Sequence, residues 1–284
     1  MALLHLQQTL KLVVVSVMMA AGLSACGLNS AKKQYVLAET LWTEGNYAAS
    51  VNEFEKVHTR DPRGKLGLQA LFRAATTQAF FLNQPTEAIK KYRLYAEVSG
   101  DPETSWEAQL QIGEILFMKL EQYDQAIQQY QALLKIKPQD KDAPLFLFRI
   151  GKSQFFLKQF KEAVETWKQL GEKFPASSYA EQASYEMGVA YYTRGEQSTD
   201  GKNAANSNQS YHEAIRMFEG FIKKYPSSKL APQAKFGIAS CLEELDDLDG
   251  AYRAYEALKS SYPSPNVITV KLVRIRERKA QRNR

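Results

Sequence analysis

A repeated pair of positions organises the apolar pattern of the chain. In each copy a small residue precedes an aromatic residue by four positions, which places both on one face of a helix. The first members of successive pairs are 38, 38, 37, 51 and 37 residues apart. The six pairs are Ser50/Phe54, Ala88/Tyr92, Ala126/Tyr130, Ala163/Trp167, Ala214/Phe218 and Ala251/Tyr255. Because a helix-ending proline follows every pair, the pattern predicts six helical units that stack on one another.

Residues 147–175 form the most complete copy of this unit. Gly151 has no side chain, so the second helix of the unit can approach the first closely. Ala163 and Trp167 give that second helix a face with one small and one large residue, and a proline ends it. Gly188 lies 37 residues after Gly151, one repeat further along the chain. These positions are therefore predicted to hold the helices together.

This pattern resembles the tetratricopeptide repeat (TPR). The resemblance implies an all-α fold, a TPR-type α-solenoid of about six helix-turn-helix repeats. A single helical hairpin cannot bury its own apolar face, so each repeat needs its neighbours. We expect the repeats to occupy residues 34–263 and a C-terminal capping helix to follow.

The N-terminal segment has the composition of a secretory signal peptide. Lys11 precedes an apolar run at residues 12–21, which is too short to span a membrane as a helix. Residues 23–26, Leu-Ser-Ala-Cys, resemble the lipobox of bacterial lipoproteins. That resemblance implies removal of residues 1–25 and lipidation of Cys26. The alternative is an ordinary signal peptide with a chance cysteine.

The residue after the cysteine bears on the location of the protein. Gly27 stands where, in many Gram-negative bacteria, an aspartate signals retention in the inner membrane. The lipoprotein resemblance therefore implies the periplasmic face of the outer membrane. Residues 26–33 are predicted to be a lipidated tether, since two or more acyl chains anchor a protein stably.

The linkers between repeats carry a second resemblance. Residues 173–183 and 224–234 share an aromatic-Pro-x-Ser sequence, in which the serine can cap the following helix. With the long period and the lipobox, these linkers resemble the BamD family of outer-membrane assembly lipoproteins. The resemblance implies that the N-terminal repeats receive substrate segments, that the C-terminal repeats dock a barrel-assembly subunit, and that the partners insert β-barrel proteins.

Two segments depart from the regular repeat. Residues 195–210 lengthen repeat five and contain no large apolar residue before the next helix, so they are predicted to form a mobile surface loop, either a spacer or a contact loop. Residues 264–284 form a basic end, with seven bases and one acid in residues 271–284. Leu272, Val273 and Ile275 are predicted to pack on repeat six as a capping helix. The alternative role of the basic end is contact with anionic lipid, an acidic partner or peptidoglycan.

No pattern in the sequence predicts catalysis, a metal site or a cofactor. His58 and His212 each stand without a second ligand at helical spacing. The acidic run from Glu243 to Asp249 is interpreted as a solvated helix end, with calcium binding as a remote alternative. Cys241 lies in an apolar helical stretch and is predicted to be a small core residue.

A set of aromatic residues recurs in the first helix of the first five repeats, at spacings of 38, 37, 38 and 37. They are Trp42, Phe80, Phe117, Phe155 and Tyr192, with Phe81 and Phe156 directly beside two of them. We expect these rings to form a ladder along one wall, either in the core between repeats or as a peptide-binding surface. In the second case Glu39, Arg73 and Lys152 would orient the peptide.

The sequence therefore predicts a non-enzymatic scaffold that binds proteins or peptides, such as barrel-assembly subunits or other envelope complexes. It would contact the membrane through its N-terminal lipid and would not bind nucleic acid, because the basic residues lack interleaved aromatics. The alternatives are a pilotin-like lipoprotein that assists a secretin in type IV pilus assembly, and a Tol–Pal- or peptidoglycan-associated binding module.

Overall fold

The computed structural model describes residues 30–100, 102–197 and 204–282, and in these ranges every regular element is an α-helix. The helices are α1 (residues 30–43), α2 (Tyr47–Arg60), α3 (Lys65–Phe80), α4 (Pro85–Ser99), α5 (Pro102–Met118), α6 (Tyr123–Ile136), α7 (Ala143–Phe156), α8 (Phe160–Lys173), α9 (Ser178–Gln197), α10 (Ala204–Lys224), α11 (Ala231–Glu244), α12 (Leu248–Glu256) and α13 (Pro265–Arg282). The predicted signal peptide and Cys26 lie outside the described residues.

The helices divide into two compact units, which meet in sequence between Glu121 and Gln122. In the N-terminal unit, α3 packs on both α2 and α4, and α4 packs on α5. In the C-terminal unit each helix from α6 to α12 packs on the next, and α13 packs on α12. The first helices of successive hairpins also touch, because α9 contacts both α7 and α11. This stacking confirms the predicted all-α solenoid.

The small-and-aromatic pairs lie at the helix seams. None of the six small residues has any exposed surface: Ser50, Ala88, Ala126, Ala163, Ala214 and Ala251. Their aromatic partners are at most 2% exposed: Phe54, Tyr92, Tyr130, Trp167, Phe218 and Tyr255. Two pairs of polar groups at the seams are hydrogen-bonded. The Ser50 hydroxyl donates to the Ala38 carbonyl oxygen at 2.8 Å, and the hydroxyls of Thr76 and Tyr92 lie 2.8 Å apart. Buried polar groups without partners are costly, so these bonds fix the pairing of the helices.

The aromatic members of the pairs are packed against neighbouring rings inside the protein. Phe54 and Tyr130 are 0% and 1% exposed, so no partner can reach either ring. Phe54 packs edge to face against Tyr35, with ring centres 5.3 Å apart, and Tyr130 stacks on Phe146 at 5.6 Å. Both residues, which the repeat pattern predicts to be structural anchors, therefore lie in the core, because their neighbours occupy all the space around them.

Glycines mark the closest approaches between helices. A Cβ atom added to Gly151 would lie 2.2 Å from Nε1 of Trp167, and one added to Gly188 would lie 2.5 Å from Cδ1 of Phe218. Gly237 meets the same Phe218 ring from α11. Real Cβ atoms do not approach other atoms this closely, so the rings occupy the space that a side chain would need.

The turns inside the hairpins repeat one backbone conformation. A residue with positive φ follows the first helix at Gly45 (82°), Asn83 (51°), Glu121 (52°), Lys158 (62°) and Asp246 (65°). Residues with a Cβ atom are disfavoured in this left-handed region, and glycine is not. Glu121 and Lys158 therefore each hold a backbone conformation that costs free energy.

Replacing Lys158 by glycine is expected to raise the free energy of unfolding by about 0.5–1 kcal/mol. The left-handed penalty disappears, while the added freedom of glycine in the unfolded chain offsets part of the gain. Urea unfolding of Lys158→Gly measures the change. The matched control is Lys161→Gly, inside α8 and also exposed, where glycine should lower stability by about 0.5–1 kcal/mol. Equal shifts for the two variants would contradict the expectation.

The structure corrects the predicted loop at residues 195–210, of which 198–203 lie outside the described residues. Helix α9 continues to Gln197 and α10 begins at Ala204, so the rest of the segment is helical. Ser207 and Ser210 are buried, and Gly195 lies against the Tyr211 ring. Small side chains were interpreted as a sign of a loop, whereas here they permit close packing of two helices.

The predicted tether at residues 26–33 is also too long. Residues 30–33 already belong to α1, and Ala31 is buried. No helix in the described ranges is both long and apolar enough to cross a membrane.

Candidate functional site

The N-terminal unit contains an open cavity of about 520 Å³. It lies along α1, α3 and α5, the first helices of successive hairpins, and α4 contributes one ring from between them. The residues that line it are Tyr35, Gln69, Phe72, Arg73, Tyr95, Glu103 and Glu107. We call this surface the N-terminal groove. It combines aromatic rings with charged groups, which is the composition expected of a peptide-binding surface.

The predicted orienting residues Glu39 and Arg73 form a bidentate ion pair at the edge of this groove. Nε of Arg73 donates to Oε1 of Glu39 at 3.0 Å, and its Nη2 donates to Oε2 at 2.8 Å. The guanidinium carbon also lies 4.6 Å from the centre of the Trp42 ring. The hydrogen bond from Arg73 lowers the pKa of Glu39, although burial opposes it, so both groups are charged at neutral pH.

An aromatic patch lies where α1 and α3 end. It comprises Trp42, Tyr47, Phe80 and Phe81. Phe81 lies 5.2 Å from Trp42 and 4.7 Å from Tyr47, measured between ring centres. Phe80 and Phe81 are 50% and 44% exposed, and the Lys119 ammonium lies 5.8 Å from the Phe80 ring. Exposed adjacent rings of this kind are a common feature of interaction surfaces.

A similar group of residues occurs in the C-terminal unit. Lys152 forms an ion pair with Glu186 at 3.1 Å and lies 5.2 Å from the ring centres of both Phe155 and Phe156. The Phe156 ring is 45% exposed and stacks on Tyr123 at 4.8 Å. Lys152 is therefore held in place by a carboxylate and two rings.

The structure corrects the expectation that the recurring rings form one uniform ladder. Phe117 is buried, at 7% exposed, whereas Phe80 is half exposed. Trp42 meets Phe81 rather than Phe80. Tyr192 is partly buried and packs on Tyr211 at 5.8 Å, and burial raises its pKa. Equal sequence spacing places the Cα atoms at equivalent positions, but the surroundings of each side chain differ.

Helix α13 packs on α11 and α12 as the predicted cap. Its buried residues are Ile268, Leu272 and Ile275, which recur with helical period on one face. The prediction was wrong for Val273, which is 46% exposed. Val273 directly follows Leu272, so it points about a quarter-turn away from the buried face.

Ion pairs also fix α13, and they correct the interpretation of a solvated helix end at Glu243, whereas the other acids of the run are exposed: Glu244, Asp246, Asp247 and Asp249. The Glu243 side chain is fully buried and accepts hydrogen bonds from Lys271, at 3.0 Å, and from Arg274. Asp246 pairs with Arg278, at 3.0 Å, and with Arg282, and Asp249 pairs with Lys279. Three acids of repeat six thus pair with bases of the basic end and offset about half of its net charge.

Among the residues that the structure describes, no three His, Cys, Asp or Glu side chains are grouped so that they could hold a metal ion. Cys241 is fully buried, and burial raises the pKa of its thiol to about 12. A thiol in this state is a poor nucleophile, because the thiolate is the reactive form.

Sequence models of the tetratricopeptide repeat match residues 107–140, 146–177 and 201–264. These three segments are tetratricopeptide repeats, and the fold is an all-α TPR solenoid. Such repeats bind proteins or peptides, so the protein is an interaction scaffold of a generally non-enzymatic class. No curated protein sequence matched the chain.

Solved structures share the TPR fold at low sequence identity. A tetratricopeptide repeat protein from Parabacteroides merdae aligns with a TM-score of 0.53 and 15% identity, over 90% of this chain and 89% of its own. The C-terminal part of a TPR protein from Cytophaga hutchinsonii aligns with a TM-score of 0.55 and 21% identity, over 80% and 78%. The type IV pilus biogenesis factor PilW aligns less well, with a TM-score of 0.46 and 15% identity, over 84% and 97%.

Proposed function

We propose that this TPR protein is a lipid-anchored scaffold at the periplasmic face of the outer membrane, where it binds segments of other polypeptides during assembly of β-barrel proteins. The observation that carries the binding role is the N-terminal groove, an open cavity of about 520 Å³ lined by three aromatic rings and several charged groups. Extended or helical peptides with apolar anchors suit a surface of this size and composition.

Support for the location comes from the sequence. The Leu-Ser-Ala-Cys motif at residues 23–26 supports lipidation of Cys26, and Gly27 supports sorting to the outer membrane. The aromatic-Pro-x-Ser linkers and the 37–38-residue period resemble those of the BamD family and support a role in barrel assembly. The scaffold function itself requires no chemistry from the side chains.

Replacing Cys26 by serine is expected to move the protein from the membrane fraction to the soluble fraction of the cell envelope. Without the acyl chains, the described residues include no helix that could hold the chain in a bilayer. Fractionation and mass measurement of the mature N-terminus test this expectation. Continued membrane retention of Cys26→Ser, or an unmodified cysteine in the native protein, would refute the lipid anchor.

Site-specific crosslinking tests the partner. A photoreactive residue at Gln69, which is exposed in the groove, should capture barrel-assembly subunits or barrel precursors in intact cells. The same residue at Arg93, which is exposed on α4 and does not line the groove, is the matched control. Enrichment of a secretin would favour the pilotin-like alternative, and enrichment of wall fragments would favour the peptidoglycan-associated one.

A further inference from the structure

The N-terminal groove has two carboxylates on one helix face. Glu103 and Glu107 are four residues apart on α5, so their side chains project in the same direction. Both residues line the cavity and both are exposed. Oε1 of Glu107 accepts a hydrogen bond from Gln111 at 3.0 Å, and the carboxylate has further lone pairs for a ligand.

Three aromatic rings also line the groove. The rings of Phe72 and Tyr95 meet edge to face with their centres 5.2 Å apart, which fixes their orientation. Tyr35 contributes a third ring from α1. The faces of aromatic rings carry negative electrostatic potential and attract cations. The rings and the two carboxylates of α5 therefore all favour a positively charged ligand.

The one cation in the lining does not reverse this preference. Arg73 is engaged by both carboxylate oxygens of Glu39 and by the Trp42 ring. The pair of Arg73 with Glu39 has no net charge, so Arg73 offsets little of the negative charge of the α5 carboxylates. The carboxylates of Glu103 and Glu107 thus contribute negative charge to the groove.

We propose that the N-terminal groove binds an arginine side chain of the partner polypeptide, with the guanidinium stacked on the rings and hydrogen-bonded to Glu103 or Glu107. Arginine fits better than lysine, because its planar group can stack on a ring and meet a carboxylate with two parallel hydrogen bonds. The cavity of about 520 Å³ accommodates this side chain together with adjacent peptide backbone. The inference deepens the proposed scaffold function and rests on it.

The test uses four capped peptides of sequence Gly-Ser-Leu-Ala-X-Ala-Leu-Ser-Gly, in which X is arginine, lysine, norleucine or glutamate. Calorimetric titration of the full-length protein should show the arginine peptide binding about tenfold more tightly than the norleucine peptide. Lysine should rank between them, and glutamate should bind most weakly. The preference for arginine should decrease as salt concentration rises.

Two double variants decide whether the groove is responsible. Glu103→Gln with Glu107→Gln should remove the preference for arginine while the circular dichroism spectrum of the folded protein is retained, because both side chains are exposed. The matched control, Glu44→Gln with Glu97→Gln, makes the same change in net charge at exposed residues outside the cavity lining and should retain the preference.

Three results would overturn the arginine site: no binding by any of the peptides, equal binding by all four, or a preference that survives the change at Glu103 and Glu107. None of them affects the proposed scaffold function, which the crosslinking at Gln69 tests separately. Conversely, crosslinking to no envelope protein would refute the proposed function even if the arginine peptide binds.

Discussion

Replacing Lys271 and Arg274 together by methionine is expected to lower the free energy of unfolding by about 3 kcal/mol. Both substitutions keep most of the side-chain volume, but the fully buried Glu243 carboxylate loses two of its three hydrogen-bond donors and keeps only the Tyr255 hydroxyl, at 3.2 Å. An uncompensated buried charge costs about 3–5 kcal/mol. The lower end applies because Nη1 of Arg278 remains 3.7 Å from Glu243. Urea unfolding followed by circular dichroism measures the loss.

A third substitution separates the lost charge pair from lost packing. Adding Glu243→Met to the double variant should restore most of the stability, since an apolar side chain of similar volume needs no counter-charge. The control is Lys259→Met, which removes one partner of an exposed ion pair with Glu256 at 3.6 Å and should change stability by no more than about 0.5 kcal/mol. A double variant as stable as the Lys259→Met protein would show that Glu243 does not hold α13.

The ion pairs of Glu243 make the attachment of α13 sensitive to acid. Burial alone would raise the pKa of Glu243, but the hydrogen bonds from Arg274 and Lys271 outweigh it, so the pKa lies below its ordinary value of 4.5. A carboxylate whose pKa is lowered by folding stabilises the fold above its unfolded pKa and loses that contribution as the pH falls through the folded value. We therefore expect α13 to detach in acid below about pH 4.5, with its amide protons exchanging first.

Replacing Gly151 by alanine should lower the free energy of unfolding by about 1–3 kcal/mol, although alanine is the better helix former. The new methyl group would lie 2.2 Å from Nε1 of Trp167. That ring is only 1% exposed, and its Nε1 donates to the Phe148 carbonyl oxygen at 3.3 Å, so it cannot move aside freely. Thermal unfolding measures the shift.

Gly220 provides a control of opposite sign. It lies inside α10 with no atom within 4 Å of an added Cβ, so Gly220→Ala should raise stability by about 0.5–1 kcal/mol. Trp167→Phe should reduce the cost of Gly151→Ala, because the atoms nearest the new methyl belong to the five-membered ring of Trp167 that phenylalanine lacks. Stabilisation of the protein by Gly151→Ala would contradict the packing at this seam.

The repeat architecture could be predicted because it depends on short-range spacing. Ala163 and Trp167 are four residues apart and share a helix face whatever their neighbours are, and the same relation recurs five more times. The prediction of a loop at residues 195–210 was wrong because the side chains there are polar and small. Polarity indicates a loop only when the segment has no neighbour to pack on, and here α9 and α10 supply that neighbour to each other.

Sequence spacing does not predict which residues far apart in the chain pair with each other. Glu243 lies 28 residues before Lys271 and 31 before Arg274. Each side could be recognised as charged, but the sequence did not show that the two charged segments meet. The candidate site was limited in the same way. Arg73 and Lys152 were correctly expected near rings, whereas Glu103 and Glu107, which carry no aromatic or repeat signal, were missed.

Chemical labelling of the buried thiol of Cys241 can report local opening of the protein. Cys26 and Cys241 are the two cysteines of the chain, so in a Cys26→Ser background a maleimide or disulfide reagent can modify one position alone. Because Cys241 has no exposed surface, the labelling rate should depend on how often α11 separates from α10. Any ligand that tightens these last repeats should slow that reaction.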